Sequence, residues 1–167
     1  MGDIYVNDAF SVSHRTHASS VGITKYLPSY AGFQFEEEVK NLSRAFKKSK
    51  HPFLFILGGA KFSTKIPLIK KYLKLADQVF VGGALANDFL KALGYEVGKS
   101  LVDGTDYDIT KVVKSTKLIL PVDVVVNRED KLINIKINEI QKNDSILDIG
   151  DETVKNLAAL IQKSKFI

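Results

Sequence analysis

Cysteine is absent from the 167 residues, which excludes disulfides, thiolate metal sites and a cysteine nucleophile. Long apolar runs are absent too. The stretch 119–126 is far shorter than the ~20 residues of a membrane-spanning helix, and Pro121 and Asp123 interrupt it. Met1-Gly2-Asp3 leads at once into a short apolar stretch, without the basic start and long apolar region of a secretion signal. The expectation is a cytoplasmic chain with no membrane partner. There is also no low-complexity segment and no strict internal repeat. What is present is a globular composition, 45% hydrophobic and 26% charged residues, enough for one ordinary core. The net charge of +5 suits phosphate-bearing partners. Its lysines are scattered over helical segments and no aromatic-rich signature accompanies them, which favours small phosphorylated ligands over nucleic acid.

Along the chain, residues 3–10 read as a short strand ending at the Asn7-Asp8 turn signal, followed by a polar loop over 11–20 and another break over 27–32. Residues 36–48 read as a helix, acidic at its start and basic at its end as the helix dipole favours, with Val39, Leu42, Ala45 and Phe46 on one face. From Pro52 the pattern becomes regular. An apolar strand over 53–57, the turn Gly58-Gly59 and a helix carrying Ile66, Ile69 and Leu73 are followed by a strand over 78–81, the turn Gly82-Gly83 and a helix over 85–93 stopped by Gly94. A helix over 107–116 and a third apolar strand over 118–126 follow. Strand, glycine turn and helix in succession specify an α/β fold, a parallel Rossmann-like sheet with flanking helices. Residues 132–137 alternate apolar with polar and, with a short strand over 145–149, predict a short antiparallel appendage; 153–165 is a last amphipathic helix, and Phe166-Ile167 resemble the start of another strand.

The segment 53–65 carries the strongest chemical signal. A strand delivers the chain to Gly58-Gly59-Ala60, and Lys61 and Lys65 stand four residues apart at the start of the next helix. Outward backbone N–H groups and two lysines suit a phosphate cradle; the same spacing equally suits a tight turn with two solvated lysines, and it matches neither the P-loop nor the dinucleotide glycine pattern. Gly82-Gly83-Ala84 at the next strand end could complete one crevice with it, although helix-to-sheet packing accounts for those glycines alone. His14-Arg15-Thr16-His17 sets a guanidinium between two imidazoles, suited to a phosphate or carboxylate, to solvent, or, lacking a third ligand nearby, least well to a metal.

Taken in order, these segments resemble phosphoglycerate kinase. The resemblance rests on Asn7-Asp8-Ala9-Phe10 with His14-Arg15-Thr16-His17, on Leu57-Gly58-Gly59-Ala60-Lys61 with Lys65, on Gly82-Gly83-Ala84, on Leu120-Pro121-Val122-Asp123, and on Leu147-Asp148-Ile149-Gly150. It implies reversible phosphoryl transfer between ATP or ADP and 3-phosphoglycerate or 1,3-bisphosphoglycerate, with Mg2+ carried on the nucleotide and no metal held by the protein itself. It implies that Arg15 grips the glycerate phosphate, with His14 and His17 beside it, and that Lys65 acts on the transferred group. Gly59, Ala60, Lys61, Gly82, Gly83, Leu101, Ile146 and Leu147 are implied to line the nucleotide site. Thr64, Ala84 and Ile146 depart from the family pattern, which usually has an acid, a glycine and a glycine there.

The same resemblance divides the chain into a remnant of a second, glycerate-binding α/β domain over 1–35, a connector helix over 36–51 and a partial nucleotide-binding domain over 52–167. It covers less than half of such an enzyme, starting inside the first domain and stopping before the family's Trp-Asn-Gly-Pro strand and Gly-Gly-Gly-Asp loop. The expectation is therefore an interior fragment without turnover of its own. Two alternatives are a nucleotide-binding module and a structural half that docks with a complementary fragment of the same enzyme.

Overall fold

The computed structural model describes residues 2–47, 49–104 and 109–167, so Lys48 and the first two residues of the helix expected over 107–116 lie outside the described residues. Contacts divide the chain into two compact units, Met1–Ser49 and Lys50–Ile167.

In the first unit, β1 (Tyr5–Asn7) pairs in parallel with β2 (Ser29–Ala31), and α1 spans Phe33–Lys47. Strand β2 corrects the sequence reading of a break over 27–32. The loop expected over 11–20 likewise contains short helical turns at Phe10–Val12 and Ala18–Gly22. The Asn7-Asp8 pair does more than turn the chain: Asn7 Oδ1 accepts the Ala9 N–H at 2.9 Å, and Asp8 Oδ1 accepts the Phe35 N–H at 2.9 Å. The Asp8 carboxylate thus takes one of the unpaired first-turn donors of α1, where negative charge is also favoured by the dipole. That cap explains why the helix starts three residues before Glu36. Val39, Leu42 and Phe46 on α1 remain 40–51% exposed, and among the described residues of this unit only Gly32 is buried.

The second unit holds the core. Strands β3 (Leu54–Leu57), β4 (Gln78–Val81) and β5 (Leu118–Ile119) form a parallel sheet in that order, and Phe166 bridges Phe53 in parallel, with Leu54 N–H donating to its carbonyl at 3.0 Å. Central β4 is apolar throughout its last three residues, and Val79, Phe80 and Val81 are all buried, as the doubly covered strands of a parallel sheet require. Helix α2 (Phe62–Leu75) buries Phe62, Ile66, Ile69 and Tyr72; α3 (Ala84–Ala92) buries Leu85, Ala86, Phe89 and Leu90. Their apolar residues recur at helical spacing, so each helix presents one continuous apolar stripe. Helix α3 ends as its sequence predicts: Gly94 N–H bonds the Lys91 carbonyl and Tyr95 N–H the Leu90 carbonyl, the paired bonds of a Schellman cap. The short helix α4 spans Thr110–Val113.

The apolar run 118–126 is two strands rather than one. After β5 the chain breaks at Leu120-Pro121, and β6 (Asp123–Arg128) belongs to a separate antiparallel sheet, flanked by β7 (Lys131–Lys136) and β8 (Ser145–Ile149). Pro121 has no N–H to offer a ladder, and the Val122 N–H is taken by the Thr153 hydroxyl at 3.0 Å. The β6–β7 hairpin turns on Glu129 and Asp130, both at positive φ (52° and 60°), the two-residue geometry whose twist matches the strands. Val124, Val126, Ile135 and Ile140 form the core of this sheet.

Helix α5 (Asp151–Lys163) is fastened to β6 by Asp123, which is 2% exposed. Its carboxylate accepts the Thr153 hydroxyl at 2.6 Å, the Thr153 N–H at 2.8 Å, the Glu152 N–H at 2.9 Å and Asn134 Nδ2 at 3.1 Å. Burial pushes the Asp123 pKa up, but these four bonds outweigh it and hold the pKa at about 2, below the about 3.9 of an unfolded aspartate. A depressed folded-state pKa contributes stability that is complete above the unfolded value and is lost as pH falls through the folded one. Urea unfolding at stepped pH should therefore show stability falling between pH ~4 and ~2. Asp123→Asn should be less stable at neutral pH and flatter across that window; an unchanged slope would show that Asp123 is not a source of the acid sensitivity.

Candidate functional site

The two glycine turns of the second unit stand side by side at the carboxyl ends of adjacent parallel strands. Gly82 N–H donates to the Leu57 carbonyl at 3.0 Å. Gly59 adopts φ 129° and Gly83 φ 61°, conformations open to glycine and rarely to residues with a side chain. A Cβ on Gly83 would lie 3.8 Å from Gly59 N, and one on Gly59 would lie 3.7 Å from Lys65 Cε. The Lys65 stem therefore runs over the first turn, and the backbone of the second turn reaches it. Lys61 is exposed and immediately precedes α2, so it lies on the turn, one residue before the helix that carries Lys65. Ala60 is exposed on the same turn. Thr64 turns its hydroxyl back to the Lys61 carbonyl at 3.1 Å.

A chain of carboxylates holds this corner together. Asp103 accepts the Ser63 N–H at 2.9 Å, in the first turn of α2, and its own N–H donates to Asp88 Oδ1 at 2.9 Å. One orphan donor of the helix N-terminus is thus already taken. Burial, and the Asp103 charge to a lesser degree, push the Asp88 pKa up against the pull of the Asp103 N–H. Asp88 Oδ2 is buried without a hydrogen-bond partner among the described residues.

Beside the second turn opens a pocket of ≈ 110 Å³. Its lining includes Gly83, Asn87, Leu101 and Pro121, and Ile146, Leu147 and Asp148 of β8. Ligand pockets that enclose a whole small molecule run to roughly 300–1,000 Å³, so this one is too small to enclose all of a nucleotide. Leu101 and Leu147 are 60% and 57% exposed, apolar surfaces left open in the pocket lining. Hydrogen bonds fix that lining. Asn87 Nδ2 donates to the Leu101 carbonyl at 3.1 Å, and the Ile146 N–H donates to Ser100 Oγ at 2.8 Å.

Of the residues singled out in the sequence, Gly83, Leu101, Ile146 and Leu147 line this pocket, and Gly59, Gly82 and Lys65 gather at the turns next to it. His14, Arg15 and His17 lie in the first unit, all exposed; the Arg15 N–H bonds the Val12 carbonyl at 3.0 Å and the His17 carbonyl starts the helical turn Ala18–Gly22. Sequence reasoning missed Asn87, Ser100, Asp103 and Asp148. Asn87 had a signal, a lone amide among Leu85, Ala86, Phe89 and Leu90, but nothing in the sequence names its partner.

The family model for phosphoglycerate kinase matches residues 1–167. The chain is 42% identical to the phosphoglycerate kinase of Finegoldia magna, aligning 100% of its own length with 45% of that protein. It is 43% identical to the phosphoglycerate kinase of Thermosipho africanus, over 100% of its length and 44% of the relative. Among solved structures, phosphoglycerate kinase from Coxiella burnetii matches with a TM-score of 0.77 at 38% identity, over 97% of this chain and 44% of that one. Phosphoglycerate kinase from Pyrococcus horikoshii matches at 0.83 with 29% identity, over 98% and 45%. The chain spans under half the length of these relatives.

Proposed function

Because the chain belongs to the phosphoglycerate kinase family, we propose that it supplies the nucleotide-binding part, and a portion of the glycerate-binding part, of an enzyme moving a phosphoryl group between ATP or ADP and 3-phosphoglycerate or 1,3-bisphosphoglycerate. The observation that carries this reading is the abutment of the Gly58-Gly59 and Gly82-Gly83 turns, with Lys65 laid over the first and an apolar pocket opening beside the second. That juxtaposition offers an aromatic base a slot between Leu101 and Leu147 and offers its phosphates backbone N–H groups at Gly59 and Ala60 together with the Lys65 and Lys61 ammonium groups. Crevices at the carboxyl ends of parallel strands serve nucleotides in this way.

In this reading Lys65 is the catalytic cation. Phosphoryl transfer has little covalent chemistry for a protein to perform, so rate comes from alignment and from fixed positive charge placed where negative charge develops. In the unit Met1–Ser49, Arg15 takes the phosphate of the glycerate, flanked by His14 and His17, and its planar fork suits that group better than a lysine would. Residues 36–51 serve as the connector between the glycerate-binding part, 1–35, and the nucleotide-binding part, 52–167. Mg2+, bound to the nucleotide, would supply charge neutralisation at the phosphates. Among the described residues no helix is long and apolar enough to cross a membrane, and the cytoplasm is the compartment that suits this family's substrates.

A second reading, a nucleotide-binding module or one half of a split enzyme without turnover of its own, is favoured for the isolated chain by its 44–45% coverage of the relatives. Calorimetric titration with MgADP tests the site. Binding is expected to be weak, because the pocket grips only the base and the phosphates meet one turn. Low-micromolar affinity or tighter would show that this site is complete without any further segment and that its assignment as a partial pocket is wrong.

A further inference from the structure

The polar side chains in the lining of the pocket are Asn87 and Asp148, and each carries an acceptor. Asn87 is 3% exposed and sits on α3 in the pocket wall. Its Nδ2 donates to the Leu101 carbonyl. A carbonyl oxygen can only accept, so the nitrogen must be the amide atom that faces Leu101, and the orientation of the side chain is settled by its partner. Among the described residues nothing donates to Asn87 Oδ1, and Oδ1 is not among the atoms sealed off from contact. The other polar side chain of the wall, Asp148, bonds the Ile149 N–H through Oδ1 at 2.8 Å and, ionised, also can only accept.

We propose that Asn87 is the specificity residue of this pocket, its Oδ1 accepting the exocyclic amino group of a 6-aminopurine base. The proposal rests on the pocket being the base site of the ATP or ADP named above, and it adds which side chain and which atom read the base. Apolar walls at Leu101, Leu147 and Pro121 would accept any flat ring and discriminate little, whereas a nearly buried acceptor with an unspent lone pair favours a ring that brings a donor to it. One side chain then performs two tasks. The amide nitrogen holds Leu101 in place as a wall, and the amide oxygen reads the ring against that wall. Truncating Asn87 should thus affect both the shape and the selectivity of the pocket, while the phosphate contacts at Gly59 and Lys65 are untouched.

The test is a nuclear magnetic resonance titration of the whole chain with MgADP and, separately, with the Mg2+ complex of purine riboside 5′-diphosphate, which lacks only the amino group. ADP is expected to bind about tenfold tighter, the worth of one hydrogen bond to a site that is otherwise left unpaired, and to shift the Asn87 side-chain amide signals more than the analogue does. In Asn87→Leu, close in size, the ratio should fall to about one while pyrophosphate binding is unchanged. Equal affinity of the wild-type chain for ADP and the analogue, with both shifting the Leu101 and Leu147 signals, overturns the inference and leaves the base pocket standing. A tenfold preference that survives Asn87→Leu overturns it as well, and points to Asp148. If ADP shifts neither Leu101 nor Leu147, the base pocket itself fails and the inference with it. The wild-type comparison stands even if the variant does not fold.

Discussion

Asp144→Ala is expected to lower the unfolding free energy of the chain by about 3 kcal/mol. Asp144 is 0% exposed. Its two oxygens receive Arg128 Nε at 2.8 Å and Nη2 at 2.7 Å, and Oδ2 also takes the Gln141 N–H at 2.8 Å. The Arg128 bonds foremost hold the Asp144 carboxyl below the usual carboxylate range, against the upward push of burial. Bidentate geometry of this kind is the strong form of a charged hydrogen bond. Removing the carboxylate strands a guanidinium whose side chain is 26% exposed, together with one backbone donor. The partial exposure lets water reach the guanidinium, which places the loss at the low end of the range for a broken buried pair. Replacing both partners with apolar residues removes the stranded charge, so Arg128→Met combined with Asp144→Leu should recover part of the loss. Thermal melts should place the single variant on the order of 10 °C below wild type. A melting temperature within a degree or two of wild type, or a double variant worse than the sum of the singles, would show that the pair does not fasten the appendage.

That pair also bears on the pocket. The Asp144 carbonyl accepts the Lys99 N–H at 2.7 Å, Gly98 bridges Ser145, and Ser100 Oγ accepts from Ile146. The wall carrying Leu101 and the strand carrying Leu147 are thereby stitched together at one end by Asp144 and its neighbours. None of this was visible beforehand, because each bond joins residues far apart in sequence: Arg128 to Asp144, Ser63 to Asp103, Ser100 to Ile146. What could be read was local and periodic. The apolar runs over 53–57 and 78–81, each closed by two glycines and followed by a stripe at helical spacing, specified two strands and two helices of a parallel sheet, and the structure has them. The run over 118–126 misled for the converse reason. Apolarity marks a strand as buried but says nothing about which sheet buries it, and the hydroxyl of Thr153, about thirty residues on, redirects the chain at Pro121. Strand β2 escaped notice because Pro28 and Gly32 bracket only three residues, which show no alternation. Leu101 and Leu147 were singled out by family resemblance alone, since an exposed leucine carries no chemical signal of its own.

Lys65→Ala is expected to cost on the order of 10² to 10³ in turnover, the size of removing one preorganised charge from a transition state. The measurement needs a chain that turns over. This chain covers 44% of the Thermosipho africanus relative, so the host is a chimaera in which residues 1–167 replace the matching segment of that protein and the relative supplies the rest. The isolated chain should show no formation of ATP from 1,3-bisphosphoglycerate and ADP, and the chimaera should. Family resemblance proposes Lys65 rather than Lys61 for this role, and the geometry is consistent with it. Lys65 lies in the first turn of α2, partly buried, with its stem near Gly59, whereas Lys61 stands exposed on the turn. A charge already in position costs no reorganisation when the transition state forms. Lys65→Ala should therefore lower kcat and kcat/KM together, the signature of an interaction made mainly in the transition state, while Lys61→Ala falls chiefly on KM for the nucleotide. Lys65→Arg keeps the charge but spreads it over a planar fork in place of a compact ammonium, and it should rescue only part of the loss. A chimaera indifferent to Lys65→Ala, or one in which only KM rises, would overturn the catalytic assignment even with the family membership intact.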